Sequence, residues 1–159
     1  MLGKSLIHSI SNSRRRHSSE VISTRGHLMR RSYSSHMGSL VVFSVDVARC
    51  AAFYEKVLGF RSKPEATGDI RLIGDGEEVL VHSIPEGIAK KIEISVPPSP
   101  REDTALKPVF NVASLDGALD QVRTTGGVVT DRTFTLEGLT RHDVLDPDGN
   151  VIQLRSRLP

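Results

Sequence analysis

The strongest constraint on the fold is a pattern that occurs twice along the 159-residue chain. Each copy reads as a β-branched strand, a helix that ends at glycine, and a set of short strands. Two units of equal size predict a duplicated βαβββ module, in which each sheet leaves one face uncovered around a shared concave interior. A shift of 67 residues aligns Val42 with Val109, Phe43 with Phe110, Val45 with Val112, Ala51 with Ala118, and Gly59 with Gly126.

The first copy, module 1, is predicted to span residues from about 38 to 86. Its opening segment at 39–45, SLVVFSV, is apolar and β-branched, which favours a strand. Asp46 is expected to cap a helix over 47–58 that ends at Gly59 in the left-handed conformation. The segment 74–76, GDG, predicts a hairpin turn between the later strands, which are expected near 60–62, 69–73 and 78–84.

The second copy, module 2, is predicted to span residues from about 106 to 157. Ser114 is expected to cap a helix over 115–125, which Gly126 and Gly127 terminate. Its strands are expected at 108–112, 128–130, 139–145 and 151–156. The connector between the modules, residues 87–105, is rich in proline and charge, and it can hold a short strand at 92–94.

Two motifs give the repeat a family resemblance. FYEKVLGF at 53–60 closes the first helix, and DPDGN at 146–150 forms the last turn. In this order and spacing they resemble the vicinal oxygen chelate superfamily, which contains glyoxalase I, bleomycin-resistance proteins and extradiol dioxygenases. The resemblance covers residues 40–154. It implies an α+β fold of two βαβββ modules that form a glyoxalase-like curved mixed sheet around a cavity.

The resemblance also implies positions for a metal site. The family's enzymes hold one divalent metal with His and Glu, sometimes Gln, on the inner strands. These positions fall on Leu40 or Ser39 in module 1, on Lys107 in module 2, and on Gln153 in place of the last Glu. A protonated lysine repels a cation and a neutral amide is a weak ligand. No metal is therefore predicted with the usual four ligands, and His82 and Gln153 are the weak candidates.

Five residues are candidates for contact with a small molecule in the cavity. Strand alternation sends Arg141 and His142 to opposite faces, so one of the two is expected to reach the interior. A lone strand histidine or a rim lysine also has an ordinary structural explanation. The candidates are Gln153, Lys107, His82, Arg141 and His142.

These features favour a small-molecule-binding protein close to the bleomycin-resistance branch, without the usual metal quartet. One alternative is a metal-dependent lyase, isomerase or dioxygenase of the lactoylglutathione lyase type, using Zn, Ni, Fe or Mn. A second alternative is an interaction protein with a vestigial cavity. Whether the chain is an enzyme stays open at this point.

The composition of the connector bears on the oligomeric state of the chain. Its prolines, at 97, 98 and 100, favour an extended and stiff segment that reaches a second subunit. The bleomycin-resistance branch is also commonly a swapped dimer. The sequence therefore predicts a homodimer with two pockets, each combining Gln153 and Lys107 with His82 of the opposite module.

The first 37 residues differ in composition from the rest. They hold seven of the 21 basic residues, one of the 19 acidic residues and ten serines, which is typical of an organelle-targeting presequence. The segment RSYSS at 31–35 also resembles a mitochondrial processing site. The alternative is a disordered basic tail, and in that case the expected location is the cytoplasm. The remainder carries 14 basic and 18 acidic residues, and this net acidity gives no support for nucleic-acid binding. No window of the first 37 residues is apolar enough to predict a membrane span or a secretory signal.

We expect residues 1–37, fused ahead of a fluorescent protein, to direct it to the mitochondrial matrix because their composition is that of a presequence. Microscopy with a matrix marker measures the localisation, and processing should leave a mature chain that begins near Ser34. A fusion that stays in the cytoplasm would contradict the mitochondrial prediction.

Overall fold

The computed structural model describes residues 38–101 and 103–157, so the predicted leader lies outside the described residues. Module 1 contains β1 (Leu40–Ser44), α1 (Val47–Leu58), β2 (Arg61–Pro64), β3 (Ile70–Gly74) and β4 (Glu77–Ser83). The connector holds a short helix, α2 (Glu86–Ala89). Module 2 contains β5 (Val109–Asn111), α3 (Leu115–Thr124), β6 (Val128–Leu136), β7 (Leu139–Leu145) and β8 (Val151–Arg157).

Each module forms a four-stranded mixed sheet of the same topology. The strand orders are β1-β4-β3-β2 and β5-β8-β7-β6. In both sheets the first strand runs parallel to its neighbour, and the remaining pairs are antiparallel. The prediction of an α+β fold with two βαβββ modules is confirmed. Within the described residues, no helix is long and apolar enough to cross a membrane.

The caps predicted for the two long helices are present. The side chain of Asp46 accepts a hydrogen bond from Arg49 N at the start of α1, and Ser114 accepts one from Gly117 N at the start of α3. Gly59 follows α1 with φ 69°, where a side chain would be strained. The local sequence therefore fixes where each helix begins and where the first one ends.

The connector and β6 differ from the prediction. Residues 92–94 form no strand, and the connector is not uniformly extended because it contains α2 and a turn in which Ser99 N donates to Ser95 Oγ. Arg101 N then donates to Gly149 O, which docks the connector on the DPDGN turn. Strand β6 continues to Leu136, and its register with β7 shifts between Val129 and Thr133.

Each sheet has one face covered by helix and one face that is not, which we call the open face. In β1, Val42 and Ser44 are buried on the α1 side, whereas Val41 and Phe43 on the open face are 45% and 55% exposed. In module 2, Phe110 lies with the core on the covered side. The helix-covered faces form one continuous hydrophobic core that includes residues of both modules.

The two modules align structurally with a shift of 68 residues rather than 67 at their first strands and helix starts. The caps Asp46 and Ser114 are equivalent in this register. Phe43 and Phe110, matched by sequence, lie on opposite sides of their sheets: Phe43 is 55% exposed and Phe110 only 1%. The glycines that follow the helices keep the 67-residue spacing because α3 is shorter than α1.

The modules are joined by a buried hydrogen bond. Tyr54 in α1 packs edge-on against Phe110, and its hydroxyl donates to Asp146 Oδ2 at 2.9 Å. The other carboxyl oxygen, Asp146 Oδ1, accepts from Asp148 N and Asn150 N. A side chain of module 1 thus holds the turn that leads into β8.

Burial governs the protonation of this pair. Burial, followed by the nearby Asp146 carboxylate, raises the pKa of Tyr54 well above its usual value. Burial also raises the pKa of Asp146, against the lowering effect of its bonds from Asn150 and Tyr54. The folded chain therefore keeps the Tyr54 hydroxyl protonated at a pH where an unfolded tyrosine ionises.

We expect Tyr54→Phe to lower the free energy of unfolding at pH 7 by about 1–3 kcal/mol because Asp146 loses a buried donor. Since tyrosine ionises near pH 10 only in the unfolded chain, wild-type stability should fall as pH rises through about 10 and beyond. The variant lacks this contribution and should lose stability less steeply. Urea unfolding between pH 7 and 11 measures both effects, and parallel curves for the two proteins would contradict the assignment.

Candidate functional site

Gln153 is a buried residue of the open face in module 2. It is 4% exposed, and its amide Nε2 donates to Asp143 Oδ1 at 2.9 Å. Its Oε1 accepts a hydrogen bond from Arg141 Nη1 at 3.4 Å. The one amide in an otherwise apolar part of β8 is therefore held on both sides by polar partners on β7.

Lys107 joins the same group from the segment before β5. Its Nζ lies 2.9 Å from Asp143 Oδ2, and the lysine side chain is 42% exposed whereas the Asp143 side chain is 4% exposed. We refer to Lys107, Arg141, Asp143 and Gln153 as the Asp143 cluster. In this cluster a buried carboxylate and amide lie beneath two cationic side chains.

Sheet register brings the Asp143 cluster together. Asp143 pairs directly with Gln153 across the antiparallel β7 and β8, and Gln153 pairs with Val109 across the parallel β5. Residues that pair directly, and those two positions along a strand, share one face. Arg141 and Asp143 therefore project with Gln153 to the open face, and Lys107 reaches it just ahead of β5.

His142 does not join the cluster. As alternation predicts, it projects to the opposite side from Arg141. Its Nε2 lies 2.8 Å from Thr130 O and its Nδ1 lies 2.6 Å from Thr133 Oγ1. Both ring nitrogens are engaged by residues of β6, so of the adjacent pair only Arg141 reaches the open face.

His82 lies on the open face of module 1, apart from the cluster. Its Nδ1 is 2.7 Å from Asp69 Oδ2, and its ring meets the edge of Phe43 at a centroid distance of 5.3 Å. Asp69 is 6% exposed and accepts further bonds from Thr67 Oγ1 and Ser83 N. In a single chain, no hydrogen bond or cavity in the described part joins His82 to Gln153 or Lys107.

Sequence reasoning missed two carboxylates, Asp143 and Asp69, which hold the predicted residues in place. Asp143 had a signal in the sequence, because a charged residue directly before two apolar ones in a strand needs a buried partner. Asp69 stands before β3 and pairs with a residue 13 positions away. That partnership depends on which residues of neighbouring strands lie opposite each other, and this register cannot be read from the sequence.

Two cavities lie beside these residues. One, of about 160 Å³, is lined by Asp143, Thr130, Leu145, Val151 and Pro100, together with Asp131 and Arg132. The other, of about 300 Å³, is a mainly apolar cleft at the seam between the modules, with Val41 and Phe43 of β1 on one side and Leu106 and Val151 on the other. The open faces of the two modules therefore adjoin at this seam.

The residues at the family's ligand positions do not fit a divalent metal. Lys107 presents an ammonium that is already paired with Asp143, and the Gln153 oxygen accepts from the Arg141 guanidinium. In module 1, Leu40 packs against the core, while Ser39 Oγ donates to Glu78 Oε1. A cation placed there would meet two positive side chains. Within the described residues no group of three or more His, Cys, Asp or Glu side chains is arranged to hold a metal.

Several solved structures share the fold. A glyoxalase/bleomycin resistance protein/dioxygenase family enzyme from Burkholderia phytofirmans is 17% identical, with a TM-score of 0.56 over 76% of this chain and 98% of the other. An integron cassette protein from V. cholerae is 24% identical, with a TM-score of 0.53 over 77% and 94%. A fosfomycin resistance protein from Listeria monocytogenes is 11% identical, with a TM-score of 0.56 over 78% and 94%. These identities establish the fold alone.

Sequence comparison gives the family. No curated protein matches the chain with significance. The profile of the Glyoxalase/Bleomycin resistance protein/Dioxygenase superfamily matches residues 36–154, which includes module 1, the connector and module 2 up to the middle of β8. With the FYEKVLGF and DPDGN motifs and the two βαβββ sheets in the same span, the chain belongs to this superfamily.

Proposed function

We propose that the chain binds a small organic anion, such as a carboxylate, on the open face of module 2 through Lys107 and Arg141. The observation that carries the proposal is the Asp143 cluster. Lys107 pairs with the buried Asp143 carboxylate, and Arg141 donates to the Gln153 amide that bonds the same carboxylate, so two cations and one carboxylate leave the cluster with a net positive charge. A bound anion would neutralise this positive charge, and no metal would be needed to hold it.

The hydrogen bonds left open in the cluster support the same ligand class. The buried Nε–H of Arg141 has no acceptor among the described residues. A buried donor without a partner costs about 1–3 kcal/mol, and a carboxylate matches the planar geometry of a guanidinium. Lys107, with 42% of its side chain exposed, keeps donors free for a second contact. A bound carboxylate would therefore satisfy donors that the chain itself leaves unpaired.

The buried pair beneath the cations also supplies rigidity. Gln153 and Asp143 bond to each other, and Thr130 Oγ1 donates to Asp143 O at 2.6 Å. These bonds hold Asp143 and Gln153 in place, and they thereby position the Lys107 and Arg141 side chains, which bond to Asp143 and Gln153. Preorganised cations bind an anion more tightly because less side-chain freedom is lost on binding.

We expect Lys107→Gln and Arg141→Gln each to weaken binding of a small carboxylate about ten- to hundredfold, which is the loss of one charge-assisted hydrogen bond. Titration with pyruvate, succinate and benzoate, followed by NMR, measures the affinity. Arg123→Gln is the matched control, because Arg123 is an exposed cation of the same module on α3 and, among the described residues, pairs only with Asp120.

Two results would contradict the anion site. One is equal affinity in the wild type and both cluster variants. The other is about one equivalent of Zn, Ni, Fe or Mn in the purified protein that is lost on His82→Ala, which would favour the metal-dependent alternative.

We further propose that the cavity is completed by a second copy of the chain, so that His82 of one chain faces Lys107 and Gln153 of the other. The open faces carry large apolar side chains that the single chain leaves uncovered: Val41, Phe43, Ile73, Phe134 and Leu136 are each more than 40% exposed. Exposed apolar surface of this kind marks an interaction site. A symmetric pair would bury both open faces and create two equivalent pockets.

We expect light scattering at micromolar concentration to give twice the 17.4 kDa mass of the chain. Ile73→Lys, on the open face of module 1, should shift the protein to monomer because a charge would be buried in the interface. Ile88→Lys is the matched control, since Ile88 is 57% exposed on α2 in the connector. A wild-type monomer would rule out the two-chain pocket.

A further inference from the structure

We propose that the anion bound at the Asp143 cluster is amphipathic, and that its apolar body lies in the cleft at the seam between the modules. This inference rests on the function proposed above, and it names the class of ligand that the site takes. The cleft, which we call the seam cleft, has a volume of about 300 Å³. Its apolar lining includes Leu40, Val41, Phe43, Leu106, Val151 and Ile152.

The seam cleft adjoins the Asp143 cluster. Lys107 stands in the chain between Leu106 and Pro108, and both of these neighbours line the cleft. The Nζ of Lys107 lies 2.9 Å from Asp143 Oδ2 in the cluster. Val151 lines the seam cleft and also the smaller cavity beside Asp143, so the two cavities have a lining residue in common. A ligand can therefore extend from the cluster into the cleft along the surface of one chain.

Strand geometry sets the distance between the polar and the apolar part. Val151 and Gln153 lie on the same face of β8, two positions apart, which corresponds to about 7 Å along the strand. The amide of Gln153 bonds both Asp143 and Arg141 of the cluster. A carboxylate held at the cluster and an apolar group beside Val151 are therefore within the reach of one small molecule.

Two of the polar residues that line the seam cleft are already paired. The Tyr54 hydroxyl donates to Asp146 Oδ2, and Asn150 Nδ2 donates to the same oxygen at 2.8 Å. An apolar group placed beside these residues leaves their bonds to Asp146 intact, so its binding carries no cost from broken hydrogen bonds there.

Exposed apolar side chains supply the driving force for the apolar body. Val41 is 45% exposed, Phe43 55% and Leu106 78%, so a hydrocarbon group in the cleft would remove apolar surface from water on both sides. The cavity at the C-terminal end of β8 is less apolar, because Arg155 and Arg157 line it. Since the lining residues of the seam cleft all belong to one chain, the inference does not depend on a second copy.

The first test compares acetate, butyrate, hexanoate and octanoate by NMR titration of the full chain. Affinity should rise about three- to fourfold for each added methylene group until the tail fills the cleft, because each methylene leaves water on binding. Equal affinity for acetate and hexanoate would overturn the inference.

The second test changes the wall of the seam cleft. Leu106 is 78% exposed, so Leu106→Asn should leave the fold and the acetate affinity unchanged and should weaken hexanoate binding several-fold. Ile88→Asn is the matched control, since Ile88 is also an exposed aliphatic residue and lines neither the seam cleft nor the cavity beside Asp143. An unchanged hexanoate affinity in Leu106→Asn would overturn the placement of the tail.

Intermolecular nuclear Overhauser effects locate the tail directly. The terminal methyl group of hexanoate should show contacts to the methyl groups of Val41, Leu106 and Val151. Contacts to Leu136 and Leu139 instead, which pair at the far ends of β6 and β7, would overturn the placement.

Arg101 offers a carboxylate the reverse orientation, because it also lines the seam cleft. Arg101→Gln should leave hexanoate affinity unchanged, whereas Lys107→Gln should lower it. The opposite result would place the carboxylate in the cleft and overturn the inference.

Hexanol, which has the same tail and no charge, separates this inference from the anion site. Carboxylates that bind through Lys107 and Arg141 without any dependence on tail length would overturn the role of the seam cleft and leave the anion site standing. Hexanol that binds as tightly as hexanoate, with its methyl group beside Val41 and Leu106, would overturn the anion site and leave the seam cleft as an apolar site. Hexanoate that binds more tightly than both acetate and hexanol supports the two together.

Discussion

The buried bond from Tyr54 to Asp146 ties the second half of the molecule to the first. Asp146 organises the DPDGN turn through its own backbone contacts, and Tyr54 anchors that carboxyl to α1. Because β8 begins directly after this turn, the position of Gln153 depends on a side chain from the other module. Arg49 reinforces the link, since its guanidinium lies 3.0 Å from Asp148 Oδ1. The hydrogen bond between Tyr54 and Asp146 therefore stabilises both the fold and the candidate site.

The Asp143 cluster shows how a binding face can change its chemistry while its strands stay in place. The open face still presents side chains at the positions where the family's enzymes hold a metal, but a lysine and an amide occupy two of them. With Arg141 and Asp143 added, the same backbone frame carries fixed charges instead of open coordination sites. Fixed positive charges at these positions repel a cation.

Much of the architecture was predictable because it depends on local signals. Apolar periodicity, two capping side chains and the glycines at the helix ends located the helices to within a residue, and the repeat predicted the two sheets. The sequence could not reveal that Phe43 and Phe110 face opposite ways, because a shift of one residue reverses every side chain in a strand. Asp69 was missed for the same reason, since its partner follows from register. Residues 92–94 have strand composition but no neighbouring strand.

The outer strands of the two sheets limit how copies of the chain can meet. Strand β2 has only four residues and carries Arg61, Lys63 and Pro64, which discourage another strand from adding to that edge. Strand β6 is longer, but the register shift after Val129 interrupts its regular ladder and twists it. Addition of a further strand at β2 or at β6 is thereby disfavoured. Open-ended β-aggregation, in which each molecule adds its sheet to the next, is correspondingly disfavoured at these two edges.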